Sequence, residues 1–171
     1  MSNNEIAEVP GLFYFPKYFA DFDCFQKLQN EIWNLSLERR TIHYGVRYDY
    51  PTRKLVYDAV PFSPWISNLA NNLYQLFGVN FNQCIINEYL SNQKISPHID
   101  AKCFGDKIVT ISFGSTMTMR MSYNNQKINI PLENGDLILL SGEARHLFKH
   151  ELLPVKNSNF YRVSITFRTI I

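Results

Sequence analysis

The stretch TMTMRMSYNNQKINIPLENGDLILL, Thr116 to Leu140, decides the fold. Met117, Met119 and Met121 alternate with Thr118, Arg120 and Ser122, a period of two that places one face on a core and the other toward solvent. The segments TMTMRMSY, QKINIPL and DLILL are separated only by turn residues, Asn124-Asn125 and Asn134-Gly135. Asn and Gly tolerate the left-handed conformations that tight turns require. Strands that follow one another with no helix-length segment between them disfavour a parallel βαβ architecture.

The same grammar extends outward. QCIINEYL and KIVTISFG precede the stretch, YRVSITFRTII follows it, and GDK marks another turn. Helical patterning is confined to the first half. Residues 20–35 are predicted as a helix capped by Asp21, with Phe22, Phe25, Leu28, Ile32 and Trp33 on one face. A second helix is predicted from Ser63 to Phe77, with Pro64 in its first turn, Gly78 as its stop and Ile66, Leu69, Leu73, Leu76 and Phe77 on its apolar face. The expected class is therefore mainly β with flanking helices (α+β), a barrel or jelly roll with the N-terminal helices packed outside.

The 171 residues are expected to form a single domain, 1–171, since no repeat, low-complexity segment or Pro/Gly/Ser linker divides them. A chain that is 46% hydrophobic and 19% charged has the composition of a folded protein. Its net charge of +2 is too mild to imply a nucleic-acid partner by itself. Cys24, Cys84 and Cys103 are odd in number and lack CxxC spacing, which fits a reducing compartment. With no apolar run long enough for a membrane span and no signal-peptide core in MSNNEIAEVPG, the expectation is an intracellular protein, cytoplasmic or nuclear, without membrane contact, and a monomer.

His98 and Asp100 stand two positions apart in SPHID, so on an extended chain their side chains point the same way. HLFKHEL supplies His146 and His150 from a distant segment. Two imidazoles and one carboxylate make the facial triad of non-haem Fe(II) sites, which leaves coordination positions open. The rival arrangement, a helical HxxxH zinc pair, lacks the glutamate of HExxH and sits among strand-like residues. Cys103 is a further candidate thiol ligand, against the commoner role of a filler thiol. Arg162 and Arg168 are an even number of residues apart in YRVSITFR and so share a strand face. Two guanidinium forks beside such a triad suit a small dicarboxylate that also chelates the metal.

Taken together, NEYLSNQKISPHID, IVTISFGS, GDLILLSGEARHLFKHEL and RVSITFR, with RRTIHYG upstream, resemble the AlkB-type Fe(II)/2-oxoglutarate dioxygenases. The resemblance implies a double-stranded β-helix (jelly roll) with its catalytic core at 82–168, and Fe(II), 2-oxoglutarate and O2 as the reacting partners. His98, Asp100 and His150 match the iron ligands. Asn87, Tyr89, Arg162, Ser164 and Arg168 match positions around the co-substrate, although some members carry Asn where this chain has Ser164. The implied reaction is oxidative demethylation or hydroxylation, a methyl group leaving as formaldehyde, with no residue catalytic beyond the metal centre.

Residues 38–61 read as an irregular stretch in which Arg39, Arg40, Arg47, Arg53 and Lys54 alternate with Tyr44, Tyr48, Tyr50 and Tyr57. Cations hold phosphates and aromatic faces stack unpaired bases. In AlkB-like proteins a region in this place is the lid over a flipped nucleotide. The resemblance thus implies a nucleic-acid substrate, DNA or RNA, with Tyr44, Arg47 and Tyr57 as substrate-binding candidates. Glu143 and Arg145 in SGEARH are further candidates, or else a structural ion pair. Lys102 stands where repair members often carry an acidic residue, which disfavours a positively charged methylated base and favours another base, such as a modified wobble uridine. The alternatives are the same chemistry on a protein side chain or small molecule, and a non-catalytic jelly-roll binding module.

Overall fold

A computed structural model describes residues 4–35, 37–49, 52 and 54–171, with residues 57 and 58 described in their backbone only. Eleven strands form two antiparallel sheets among the described residues. The larger sheet runs in the order β1 (Leu12–Phe15), β9 (Leu137–Leu140), β6 (Ile108–Gly114), β11 (Tyr161–Arg168), β4 (Gln83–Leu90), β2 (Thr41–Asp49) and β3 (Lys54–Val60). The smaller runs β5 (Ile95–His98), β10 (Lys149–Leu152), β7 (Met117–Tyr123) and β8 (Gln126–Leu132). The predicted jelly roll is the observed fold.

Strand alternation builds two separate apolar layers. In β11, Val163, Ile165 and Phe167 face outward and pack beneath α2 (Pro64–Phe77), whose Ile66, Leu69, Leu73 and Phe77 are buried. Burying such a side chain contributes about 1.5–3 kcal/mol, so this row anchors the helix to the back of the sheet. The helix ends where Gly78 turns left-handed at φ 65° and donates its N–H to the Tyr74 carbonyl, a conformation that costs glycine little. The opposite face of β11 presents Arg162, Ser164, Thr166 and Arg168 to the space between the sheets. There Met119, Ile138 and Leu140 line the walls.

Two expectations are corrected. The N-terminal helix is only α1, Cys24–Leu28, capped by Asp23 rather than Asp21. Residue 34 is drawn to the sheet instead: Asn34 and Thr41 exchange both backbone hydrogen bonds. Trp33 lies under the Arg40 guanidinium, and Glu31 accepts from the Trp65 indole. These tertiary contacts outweigh a weak helical preference. Within 38–61, the stretch read as irregular contains the antiparallel pair β2 and β3 at the edge of the larger sheet. Its strand character is masked by a register slip between Gly45 and Arg47. Gly45, at φ 73°, lies so close to the Asn82 carbonyl that a Cβ would stand 2.0 Å from its oxygen. Only glycine fits there.

Candidate metal and co-substrate centre

The smaller sheet brings the two histidines together. His98 ends β5 and His150 lies in β10, and the two are register partners with ring centroids 4.3 Å apart. Asp100 follows two residues beyond β5. Ligand atoms from His98, Asp100 and His150 all lie within 4.8 Å of one another. His98 and Asp100 are each oriented by a second contact. His98 Nδ1 is 2.8 Å from the Ser96 carbonyl; with its proton there, Nε2 is left with a lone pair for a metal. Arg168 donates to Asp100 Oδ1 at 2.9 Å, while Oδ2 lies 3.6 Å from His150 Nε2.

The electrostatics keep His150 and Asp100 in their ligating forms. Burial lowers the His150 pKa to about 4, with Asp100 opposing and His98, Arg168 and Arg145 adding to the effect, so the imidazole is neutral near pH 7. Burial by itself would raise the Asp100 carboxyl, but Arg168, then His150, His98 and Arg145, bring it below the ordinary carboxylate value. Neutral imidazole and ionised carboxylate are what a divalent cation needs. Two nitrogens and one oxygen, with the cavity on their open side, fit Fe(II) bound by a facial triad.

The cavity, about 650 Å³, is lined by the triad and by Asn87, Tyr89, Arg162, Ser164 and Arg168. Arg162 is 1% exposed, its guanidinium 5.3 Å above the Tyr89 ring. It donates Nη2 to Ser112 Oγ at 2.9 Å, but Nε and Nη1 have no partner among the described residues. Burial lowers its pKa, with Tyr89 opposing. A buried cation with two unmet donors is expensive, and a carboxylate received by both would remove the cost. The donor set therefore fits 2-oxoglutarate as well as iron.

The other sequence-derived candidates are distributed differently. Tyr44 is buried in the outer layer against Phe62, away from the cavity. Arg47 forms a 3.7 Å ion pair with Asp49 and does not line the cavity. The Tyr57 side chain, like Tyr50 and Arg53, lies outside the described residues. Lys102 and Glu143 are exposed and outside the cavity lining. Arg145 is buried, and its guanidinium meets backbone carbonyls rather than Glu143. Among the described residues Cys103 is not part of the ligand cluster. His146 closes the short helix α3 (Gly142–His146) and faces Asp106 at 3.1 Å on the surface, so HxxxH does not lie on one helix.

Arg39, Tyr48, Ser112 and Thr166 reach the site without having been singled out for it. Arg39 lines the cavity and donates Nε to Asn87 Oδ1 at 2.9 Å. Tyr48 lines it too, edge-on to Phe104 at 5.4 Å. Thr166, hydrogen-bonded to Thr110 at 2.9 Å, was accessible from the alternation of Arg162, Ser164 and Arg168. Ser112 was not, because it meets Arg162 only through the β6–β11 pairing.

Comparison with known proteins accords with this geometry. The model of the 2OG-Fe(II) oxygenase superfamily matches residues 19–168. Uncharacterized protein R406 of Acanthamoeba polyphaga mimivirus is 30% identical over 117 residues, which cover 65% of this chain and 61% of that protein. The tRNA (carboxymethyluridine(34)-5-O)-methyltransferase alkbh8 of Xenopus tropicalis is 28% identical over 130 residues, 71% of this chain but only 20% of the relative. The solved structure of OsALKBH1 superposes with a TM-score of 0.74 at 19% identity, covering 94% of this chain and 97% of that one, a likeness of fold.

Proposed function

The chain belongs to the 2OG-Fe(II) oxygenase superfamily, and from that premise we propose that it is an AlkB-like Fe(II)/2-oxoglutarate-dependent dioxygenase that demethylates or hydroxylates a modified base in nucleic acid. The observation that carries the proposal is the pairing of Arg39 and Tyr48 in the cavity lining. A guanidinium suits a phosphate and an aromatic ring suits an unpaired base. Both belong to the segment, 38–61, that we assign as the substrate lid, with 82–168 as the catalytic core. The Xenopus tropicalis relative is named for a reaction on carboxymethyluridine(34) of tRNA, which supports a base other than a cationic methylated one. Lys102, exposed two residues beyond Asp100, is consistent with the same choice.

When bound, iron and 2-oxoglutarate supply the oxidising chemistry: O2 gives one oxygen atom to the keto acid as it becomes succinate and CO2, and the other to a substrate C–H bond. The chain's own residues bind, orient and exclude water. His98, Asp100 and His150 would hold the metal. Arg162, its position set by Ser112, would receive a carboxylate of the co-substrate. Arg39 occupies the Asn87 carbonyl oxygen, which leaves the Asn87 amide N–H groups to donate. Ile108, Met119, Ile138 and Leu140 give the inner wall an apolar surface that disfavours bulk water.

The test is a panel of oligonucleotides carrying methylated adenine, methylated cytosine and modified uridines, incubated with Fe(II), 2-oxoglutarate and ascorbate beside a protein extract. A mass change in one oligonucleotide with matching succinate is expected, lost in His98→Ala and weakened in Arg39→Ala and Tyr48→Ala. Succinate formation stimulated by the protein extract and by no oligonucleotide would move the substrate class to proteins.

A further inference from the structure

The three metal ligands are not held by the same means. His98 and His150 sit on paired strands, so the β5–β10 ladder sets their separation. Asp100 lies past the end of β5, at the start of a segment, residues 101–107, with no helix or extended strand. Its side chain is held by Arg168. Its main chain is held from elsewhere.

Arg145, in the one-turn helix α3, is 3% exposed and spends its whole fork on this segment. Nη1 donates to the carbonyl of Asp100 at 3.1 Å and Nη2 to those of Ala101 and Phe104 at 2.9 and 3.0 Å. Nε donates to Gly105 at 3.2 Å. The remaining backbone pairings are few: Phe104 N–H to Ala101, Gly105 N–H to Thr169, and Ile171 N–H to Cys103. Buried carbonyls must find donors, and here one guanidinium supplies four. Phe104, fixed in this way, lies 4.6 Å from the Arg168 guanidinium and edge-on to Tyr48.

We infer that Arg145 is a positioning residue for the metal centre: it sets the main chain of Asp100 as Arg168 sets its carboxylate, so that the ligand outside the sheet is as well placed as the two within it. A buried guanidinium whose hydrogen bonds all go to neutral carbonyls makes no hydrogen-bonded ion pair, and the Asp100 carboxylate acts on it only through its field. What it gains is a planar fork that spans four oxygens at once, which a lysine ammonium cannot match.

Co(II) titration of the full chain, without co-substrate and followed by its visible ligand-field bands, tests this. Arg145→Lys and Arg145→Gln are expected to weaken Co(II) binding about 10- to 100-fold, the range typical of residues that orient metal ligands, and to shift the bands. Leu73→Ala, in the outer layer under α2, is the control: it lowers the melting temperature and leaves Co(II) affinity within about twofold. Arg145 variants with wild-type affinity and spectrum would overturn the inference. So would a Leu73→Ala protein whose affinity falls as far, since affinity would then follow global stability. Hydrogen exchange on the unmodified protein gives a readout that needs no variant to fold. Co(II) should slow exchange in peptides from 100–105 and 142–147 together, and protection confined to 100–105 would count against the clamp.

Discussion

Arg162→Met separates what Arg162 does for the co-substrate from what it costs the fold. Met has a similar length and no charge. In the protein without co-substrate, the substitution loses one charge-assisted hydrogen bond, to Ser112, of about 1.5–3 kcal/mol. It also loses the contact with the Tyr89 ring, about 0.5–2 kcal/mol. Against this stands the desolvation of a fully buried cation with two unmet donors, an effective cost of several kcal/mol. The balance leaves the variant as stable as the parent or more so by about 1–2 kcal/mol. Co-substrate binding responds in the opposite direction. Truncating one partner of a buried, hydrogen-bonded charge pair costs about 2–5 kcal/mol, roughly 30- to 5,000-fold in affinity. The assay is thermal unfolding in a redox-inert divalent metal with and without 2-oxoglutarate. At about 100 times its Kd the co-substrate stabilises the parent by about 2.7 kcal/mol, and at the same concentration it should stabilise the variant by about 0.9 kcal/mol or less. A variant destabilised without co-substrate, yet stabilised by it as much as the parent, would refute the reasoning, because Arg162 would then be a structural residue with its needs already met.

Three further outcomes follow from the same structure. Leu73→Ala, beneath α2, should cost about 2–5 kcal/mol by thermal or urea unfolding while turnover at low temperature is retained, since the outer layer does not touch the cavity. The metal-free protein should lose stability on acidification. Between pH 6.5 and about 4 the unfolded chain protonates His150 and the folded chain does not, so ∂ΔG/∂pH is positive there. Asp100, depressed in the fold, extends the loss to lower pH; a flat urea-midpoint profile from pH 7 to 4 would contradict the His150 contribution, and one that stays flat below pH 4 the Asp100 contribution. Alkylation of the native protein near pH 8 should modify Cys103 and spare Cys24 and Cys84. Burial, with Asp23 adding, pushes the Cys24 thiol up to about 12, and burial raises Cys84 with Arg168 opposing; all three should react only after unfolding.

Much of the centre was legible because its information is local. Alternation within an unbroken strand puts Arg162, Ser164 and Arg168 on one face, and the one-residue spacing of HID brings two ligands to one side. The strand segments from QCIINEYL onward were visible for the same reason. Tyr44 and Tyr48 show the limit. Simple alternation gives them the same face, yet Tyr44 packs in the outer layer and Tyr48 lines the cavity. The left-handed turn at Gly45 and the register slip beside it invert the parity, and neither is written in the side-chain pattern.

Short-range periodicity thus determined the strand segments, the common side of His98 and Asp100 and the common face of Arg162 and Arg168, because each depends on neighbours a few positions away; the choice of the jelly roll and of His150 as third ligand came from the resemblance of the motifs in their order. Only the tertiary structure decided that Arg39 reaches Asn87, that residues 29–35 leave the helix, and that Arg145 turns from substrate to the carbonyls behind Asp100. Those contacts join residues separated by seven positions at Asn34–Thr41 and by tens of positions at Arg39–Asn87 and Arg145–Asp100. Buried donors and acceptors choose among such partners by which of them the completed fold brings within hydrogen-bonding distance.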